Sequence, residues 1–199
     1  VYDKEEILAI SRVCKEHGLL LHMDGARICN AAASQGLGLK EATRDLGVDL
    51  MSFGGTKNGL LLGEAVLFFN DALGSNFRHI QKQCMLMPSK ARFISAQMEA
   101  LLNDGLWLEN ASHANSMTQR LLASLAPHHP RIKITHKCQA NAIFATMPQE
   151  YIDYLQEDFY FYVWDQSTSL VRLMCSFDTQ PSHIEAFAQK LSEAKKRFG

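Results

Sequence analysis

The chain has 199 residues, of which 47% are hydrophobic, so it suits one ordinary domain or one and a half small ones with a sizeable core. Twenty basic and 21 acidic side chains leave a formal net charge of −1, and the one dense basic cluster, 195–197, is typical of a solvated helix end. This balance gives no indication of nucleic-acid binding. No apolar run reaches the roughly 18 residues that a membrane span needs.

The five cysteines are odd in number, widely spaced and without a C-x-x-C pair. This pattern argues against a disulfide framework or a zinc site, so we expect no bound metal. It also indicates a reducing compartment, and we expect a cytoplasmic protein. The first residue is Val1, and the chain runs almost straight into a predicted helix, as though it begins within a longer protein.

The first half of the chain predicts alternating helices and strands. Asp3 and Glu6 have the spacing of a capping box, and Gly18 has the position of a helix stop. Apolar runs predict strands over 19–23, 48–53 and 64–69, and short helices are predicted over 25–33 and 40–46. This order is typical of a mainly parallel sheet with covering helices, so the predicted fold class is α/β.

The second half of the chain has a different pattern of predicted elements. Helices are predicted over 76–84, 91–102, 106–125 and 151–156, with a last helix that begins at Pro181. Strands are predicted over 132–135, 142–147, 159–164 and 170–175. We therefore predict two domains, 1–105 with the mainly parallel sheet and 106–199 as a small α+β domain.

Asp24 and Lys57 are the most informative residues, because each directly follows a predicted strand. One strand-helix-strand crossover separates the two residues, so both are expected at the carboxyl edge of the sheet, where open α/β sheets bind ligands. An amine and a carboxylate at one edge suit pyridoxal phosphate. The lysine can form a Schiff base with the aldehyde, and the aspartate can pair with the protonated pyridine nitrogen.

Other interpretations of these segments remain open at this point. Asp-Gly is a common turn, and a lysine after a strand is usually a solvated loop residue. Ser52 lacks the G-x-S-x-G elbow of a nucleophile, and the Gly-Thr-Lys sequence lacks the full phosphate-loop spacing. His22 is predicted to point away from Asp24 and to be a core or supporting histidine.

Two motifs carry a resemblance to a known family. His-Met-Asp-Gly-Ala-Arg at 22–27 and Ser-Phe-Gly-Gly-Thr-Lys-Asn-Gly at 52–59 resemble the low-specificity L-threonine aldolases. These are fold-type I pyridoxal-phosphate enzymes of the β-eliminating lyase group. The similarity continues through 89–93, 104–108 and 171–173, so it covers nearly all of this chain, and it matches the later part of such an aldolase.

The resemblance implies a role for five residues. Lys57 would be the Schiff-base lysine, and Asp24 would pair with the pyridine nitrogen. Arg27 would reach the substrate carboxylate or the phenolic oxygen of the cofactor, and Arg92 would approach the phosphate. Arg172 would be a second clamp on the substrate carboxylate, where a guanidinium fork fits bidentately; its alternative is an exposed strand arginine.

The resemblance also implies a reaction and an assembly. The enzyme would cleave L-threonine or L-allo-threonine to glycine and acetaldehyde through the lysine Schiff base and a quinonoid. It would be a cytoplasmic homo-oligomer, namely a tetramer built as a dimer of dimers. Residues 1–105 would be the later part of the cofactor-binding domain, and the family's phosphate cup and ring-stacking histidine are not found in this chain. The alternatives are a phenylserine aldolase, a β-eliminating lyase of the same fold, or an inactive fragment that serves only as a structural or subunit-interface module.

Overall fold

The computed structural model describes all 199 residues. They form two compact units, Val1–Asn110 and Ala111–Gly199, and each unit has its own sheet. None of the helices combines the length and the apolar character that a transmembrane segment requires. The functional division predicted at residue 105 stays a prediction.

The structure has seven α-helices and seven β-strands. The helices are α1 (Lys4–Glu16), α2 (Ile28–Gln35), α3 (Phe77–Gln83), α4 (Arg92–Leu102), α5 (Leu106–Leu125), α6 (Gln149–Gln156) and α7 (Pro181–Phe198). The strands are β1 (His22–Gly25), β2 (Leu50–Gly54), β3 (Glu64–Phe68), β4 (Lys133–Ile134), β5 (Ala142–Thr146), β6 (Tyr162–Asp165) and β7 (Leu170–Met174).

The first helix begins and ends where the sequence predicts. The backbone N–H of Glu6 donates to Asp3 Oδ1, and that of Asp3 donates to Glu6 Oε2, both at 2.8 Å, so the capping box is confirmed. Gly18 follows the helix with φ = 64°, a left-handed conformation that favours glycine.

The predicted start of the first strand is wrong. β1 begins at His22, and the side chains of Leu19 and Leu20 are 59% and 55% exposed. The reason is that the backbone N–H of Leu19 donates to Cys14 O at 2.8 Å, so this residue closes the end of α1 instead of pairing with a strand.

The first unit has a three-stranded sheet in the order β1-β2-β3. β1 pairs with β2 in parallel, as predicted, but β3 pairs with β2 in the antiparallel direction. Only residues 55–63 connect β2 to β3, and a parallel crossover needs a dozen or more residues. The helix predicted over 40–46 is also wrong, since only Arg44–Leu46 forms a 3-10 turn.

The second unit packs helices on one face of an antiparallel sheet in the order β4-β5-β7-β6. Alternate residues of β5 and β7 point into its core, and α7 buries Ile184, Phe187 and Leu191 there, as its predicted apolar face requires. The opposite face of this sheet carries the intervening residues of the same strands. The α+β fold class predicted for this small second half is therefore confirmed.

All five cysteines carry free thiols, and we predict a clear order of reactivity. Cys29 is 1% exposed, and burial raises its pKa to about 12, whereas Cys84 is exposed. Because the thiolate is the reactive form, iodoacetamide should alkylate Cys84 first and Cys29 last in the folded protein, as peptide mass spectrometry would show. Equal rates at the two cysteines without denaturant would contradict the packing of α2.

Candidate active site

Asp24 and Lys57 lie at the same edge of the first sheet. In the parallel register of β1 and β2, Asp24 is opposite Ser52. β2 ends at Gly54, and Lys57 follows in a 3-10 turn over Thr56–Asn58. The two strands run in the same direction, so their carboxyl ends meet at one edge, where α/β sheets bind ligands.

Glycines bring the two chain segments of this edge into contact. A Cβ on Gly54 would lie 2.3 Å from Ala26 O, and a Cβ on Gly25 would lie 2.7 Å from Ser52 O. Real Cβ atoms do not approach backbone atoms so closely. Gly25 and Gly54 are therefore required by the packing of β1 and the residues after it against β2, which fixes the backbone beside both candidate residues.

Asp24 presents its carboxylate to solvent at the end of β1. The Oδ1 atom accepts a hydrogen bond from the backbone N–H of Ala26 at 3.0 Å, which holds the side chain in a turn. The prediction that His22 points away from Asp24 is wrong. Both side chains are exposed while Met23 between them is half-buried, because residues two apart in a strand point to the same face.

Lys57 is exposed, and its ammonium group has no hydrogen-bond or ion-pair partner in the chain. The polar groups of the neighbouring Thr56 are used elsewhere. Its hydroxyl donates to Gly63 O at 3.4 Å, and its backbone N–H donates to Glu64 Oε1 at 3.3 Å. The amine is therefore available to a ligand, on a turn that the start of β3 holds in place.

Asn58 fixes the Lys57 turn to the first residues of α5. Its side chain is 3% exposed, and Nδ2 donates to Trp107 O at 3.0 Å. Asn110 Nδ2 donates in return to Asn58 O at 2.9 Å. Asn58 therefore anchors the turn that carries Lys57.

Gln97 is a second anchor that the sequence analysis missed. Its Oε1 accepts hydrogen bonds from the backbone N–H groups of Leu61 and Leu62, at 3.0 and 3.3 Å. These two residues follow the lysine turn, so α4 orders the segment between Lys57 and β3. A glutamine on the half-buried side of a predicted helix gives no sequence signal for such a contact.

The two predicted arginines of the first unit lie on helix starts. Arg27 is half-buried at the N-cap position of α2, three residues after Asp24. Arg92 is exposed at the first residue of α4, and its guanidinium carbon lies 4.8 Å from the ring centroid of Phe93. Their assignment to the cofactor or the substrate stays a prediction.

Arg172 belongs to the second unit and lies on the face of β7 opposite the core. It is half-buried, and its Nε is buried without a hydrogen-bond partner. The guanidinium carbon lies 5.2 Å from the ring centroid of Tyr162 and 4.8 Å from that of Trp164. The environment of Arg172 thus differs from that of an exposed strand arginine, which was the alternative interpretation.

The sequence analysis missed the two aromatic neighbours of Arg172. Tyr162 is directly opposite Arg172 in the β6–β7 ladder, and a bulge between Val163 and Asp165 leaves Trp164 as an extra residue. The alternation of Tyr162, Val163 and Trp164 indicates one aromatic face of a strand. Only the strand register shows that this face contacts the arginine.

Comparison with known proteins identifies similar sequences and structures. Residues 1–148 match the family described as beta-eliminating lyase. The chain is 43% identical over 189 residues to the low specificity L-threonine aldolase of Pseudomonas sp., covering 94% of this chain and 54% of that protein. It is 40% identical over 194 residues to the enzyme of the same name from Pseudomonas aeruginosa, covering 96% and 55%.

A solved structure of Leishmania major threonine aldolase superimposes with a TM-score of 0.87 at 34% identity. The match covers 96% of this chain and 56% of that chain. The α/β architecture is therefore that of the fold-type I pyridoxal-phosphate enzymes, as predicted. The chain spans about half the length of the relatives it matches.

Removal of the Asn58 amide tests the anchor of the lysine turn. We expect Asn58→Ala to lower the free energy of unfolding by about 1–3 kcal/mol, because it removes the hydrogen bond that a buried side chain donates to Trp107 O. Urea unfolding measures the loss. Asn103→Ala is the matched control, since Asn103 is exposed at the end of α4; equal losses in both variants would contradict the anchoring role.

Asp165 gives a pH-dependent test of the hairpin formed by β6 and β7, which carries Trp164. Hydrogen bonds from the Ser167 hydroxyl, the Thr168 hydroxyl and the Ser167 N–H lower the pKa of the Asp165 carboxyl. A lowered pKa stabilises the fold above the unfolded value of about 3.9, and this contribution is lost as pH falls through the folded pKa.

We therefore expect carbon NMR to give Asp165 a pKa below its usual range, and Ser167→Ala to raise that pKa. Asp165→Asn should remove this part of the acid dependence of unfolding. A carboxyl that titrates at its ordinary value in the unaltered protein would contradict the hydrogen-bonded turn.

Proposed function

Since this chain belongs to the beta-eliminating lyase family, we propose that it is part of a pyridoxal-phosphate-dependent aldolase that converts L-threonine or L-allo-threonine to glycine and acetaldehyde. Two relatives at 43% and 40% identity, both low specificity L-threonine aldolases, support this substrate class. Because the chain spans about half of their length, the proposal concerns the residues that this chain contributes to the reaction.

The observation that carries the proposal is the pair of free groups at one sheet edge. The Lys57 amine has no partner in the chain, and Asp24 offers a carboxylate whose Oδ1 accepts a single backbone hydrogen bond. A primary amine for an aldehyde and a carboxylate for a pyridinium N–H are the two groups that pyridoxal phosphate requires at its opposite ends. The residues present therefore fit the cofactor.

Each residue has a separate task in the proposed reaction. When bound, pyridoxal phosphate supplies an aldehyde and an electron-accepting ring. Lys57 Nζ would be the amine that holds the cofactor aldehyde, and Asp24 would accept a hydrogen bond from the protonated pyridine nitrogen. Arg27 contacts the phenolic oxygen or the substrate carboxylate, and Arg92 contacts the phosphate.

Arg172 binds the substrate carboxylate in this proposal. Its guanidinium is half-buried, it has no acidic partner in the chain, and its Nε donor is unsatisfied. A bidentate carboxylate would satisfy that donor and neutralise the charge. With the substrate held, the threonine hydroxyl loses its proton, the Cα–Cβ bond breaks, and Cα takes up a proton, which gives one acetaldehyde and one glycine.

We propose that the protein is a cytoplasmic homo-oligomer, with a tetramer as the expected state. Five free cysteines suit a reducing compartment. Large apolar side chains are exposed in the first unit, among them Leu61 and Met85 at 90% each. Apolar patches of this kind mark surfaces that other protein segments cover.

A second reaction follows from the family description, because a β-eliminating lyase uses the same cofactor residues. Such an enzyme would give pyruvate and ammonia from a serine-like substrate. An aldolase gives glycine and an aldehyde from threonine, allo-threonine or phenylserine. Product analysis on these substrates therefore separates the two reactions, and release of pyruvate without glycine would replace the aldolase proposal.

Reductive trapping tests the role of Lys57 directly. We expect borohydride to fix pyridoxal phosphate on Lys57, as peptide mass spectrometry would show, because this amine shares the ligand-binding edge of the sheet with the Asp24 carboxylate, which can pair with the pyridine nitrogen. Lys57→Arg keeps the positive charge but lacks the amine, so trapping at this site and glycine formation from threonine should both fall to background.

Lys82→Arg is the matched control, since Lys82 is an exposed lysine of α3 in the same unit. This variant should keep both trapping at Lys57 and glycine formation. Even labelling of several surface lysines in the unaltered protein would contradict the assignment. Retained glycine formation in Lys57→Arg would contradict the catalytic role.

A further inference from the structure

We propose that Tyr162 and Trp164 are positioning residues that hold the Arg172 guanidinium ready for the substrate carboxylate. The two rings lie within cation–π distance of one guanidinium carbon, at 5.2 and 4.8 Å. This inference rests on the proposed function, in which Arg172 binds that carboxylate. It adds that the geometry of the clamp is set by two aromatic side chains before any substrate arrives.

The electrostatic setting of Arg172 differs from that of Lys190 and Arg120 in the same unit. Lys190 pairs with Glu157 and Asp158, and Arg120 lies 3.7 Å from Glu185. Arg172 has only the two rings, and its Nε lacks any acceptor. A structural ion pair is therefore not the reason for its position, and the unsatisfied donor points to an acceptor that binds from outside.

The strand register brings all three side chains to one face. Arg172 is opposite Tyr162 on one side and opposite Phe144 on the other. Trp164 is the extra residue of the β6 bulge, and such bulges redirect a side chain. Phe144 packs edge-on against Trp164, with ring centroids 5.5 Å apart and an interplanar angle of 87°, so the indole is itself supported.

The rigidity of this arrangement has a direct consequence for binding. Val171 and Leu173, the two neighbours of Arg172 in β7, are buried in the core, so the strand beneath the arginine is fixed. Two ring contacts then restrict the rotamers of the guanidinium, and less side-chain entropy is lost when a carboxylate binds. A lysine at this position would lack the planar group that stacks on an aromatic ring and binds a carboxylate through two parallel hydrogen bonds.

The test measures the order of the guanidinium without substrate. The Nε–Hε group of Arg172 should be rigid in ¹⁵N relaxation and shifted by the ring currents in the unaltered protein. Tyr162→Leu and Trp164→Leu should each lower its order parameter and move its resonance. Tyr162→Phe and Trp164→Phe keep a ring at each position and should preserve most of the order.

Phe177→Leu is the matched control, because Phe177 is an exposed aromatic residue of the same unit whose ring does not contact the Arg172 guanidinium. Acetate is the probe for the clamp. It should shift the Arg172 Nε–Hε resonance in the unaltered protein, and chloride at equal ionic strength should not. An unchanged order parameter in both leucine variants would overturn the positioning role.

Steady-state kinetics separate positioning from a merely structural effect. Loss of one ring should raise KM for L-threonine about fivefold, the size of a partly exposed cation–π contact, with kcat changed by less than about twofold. The phenylalanine variants should restore KM. A fall in kcat at constant KM would contradict the inference. If the unaltered protein releases no glycine, the proposed reaction fails, and the acetate and relaxation results still decide the positioning role.

Discussion

The parallel pairing of β1 with β2 is the constraint on which the candidate site depends. Its register sets Asp24 opposite Ser52 and brings the segments after both strands to one edge. Gly25 and Gly54 leave no room for a Cβ between these segments, so the backbone that carries the carboxylate and the backbone that leads to the amine are packed directly together. The position of Lys57 then depends on Asn58, which ties its turn to α5.

Each unit carries its own candidate residues. The first unit contributes the amine and the carboxylate for the cofactor, on the ends of strands and on an anchored turn. The second contributes a guanidinium for the substrate, on the open face of a sheet whose other face is a closed core. In both units the candidate group is exposed or unsatisfied, while a buried neighbour in the chain (Gly25, Asn58 or Val171) fixes the backbone beside it. Such preorganisation is what a binding site requires.

The sequence predicted those parts of the fold that local patterns determine. The capping box at Asp3, the stop at Gly18 and the long helix α5 follow from short-range rules, and the structure confirms them. Strand direction and register depend on contacts between distant residues, so the antiparallel β3 and the pairing of Tyr162 with Arg172 did not follow from the pattern. Asp24 and Lys57 were singled out because each directly follows a predicted strand, and the family resemblance suggested their roles, whereas the anchoring role of Asn58 needed the structure.

The most direct measurement of the central claim is the visible circular dichroism of pyridoxal phosphate added to the protein. The cofactor is achiral, so a signal in its absorption band arises only when an asymmetric site holds it. We expect a signal for the unaltered protein, its loss in Lys57→Arg, and a weaker signal in Asp24→Asn. The absence of a signal in the unaltered protein, or an equal signal in all three, would contradict a cofactor site at the edge of β1 and β2.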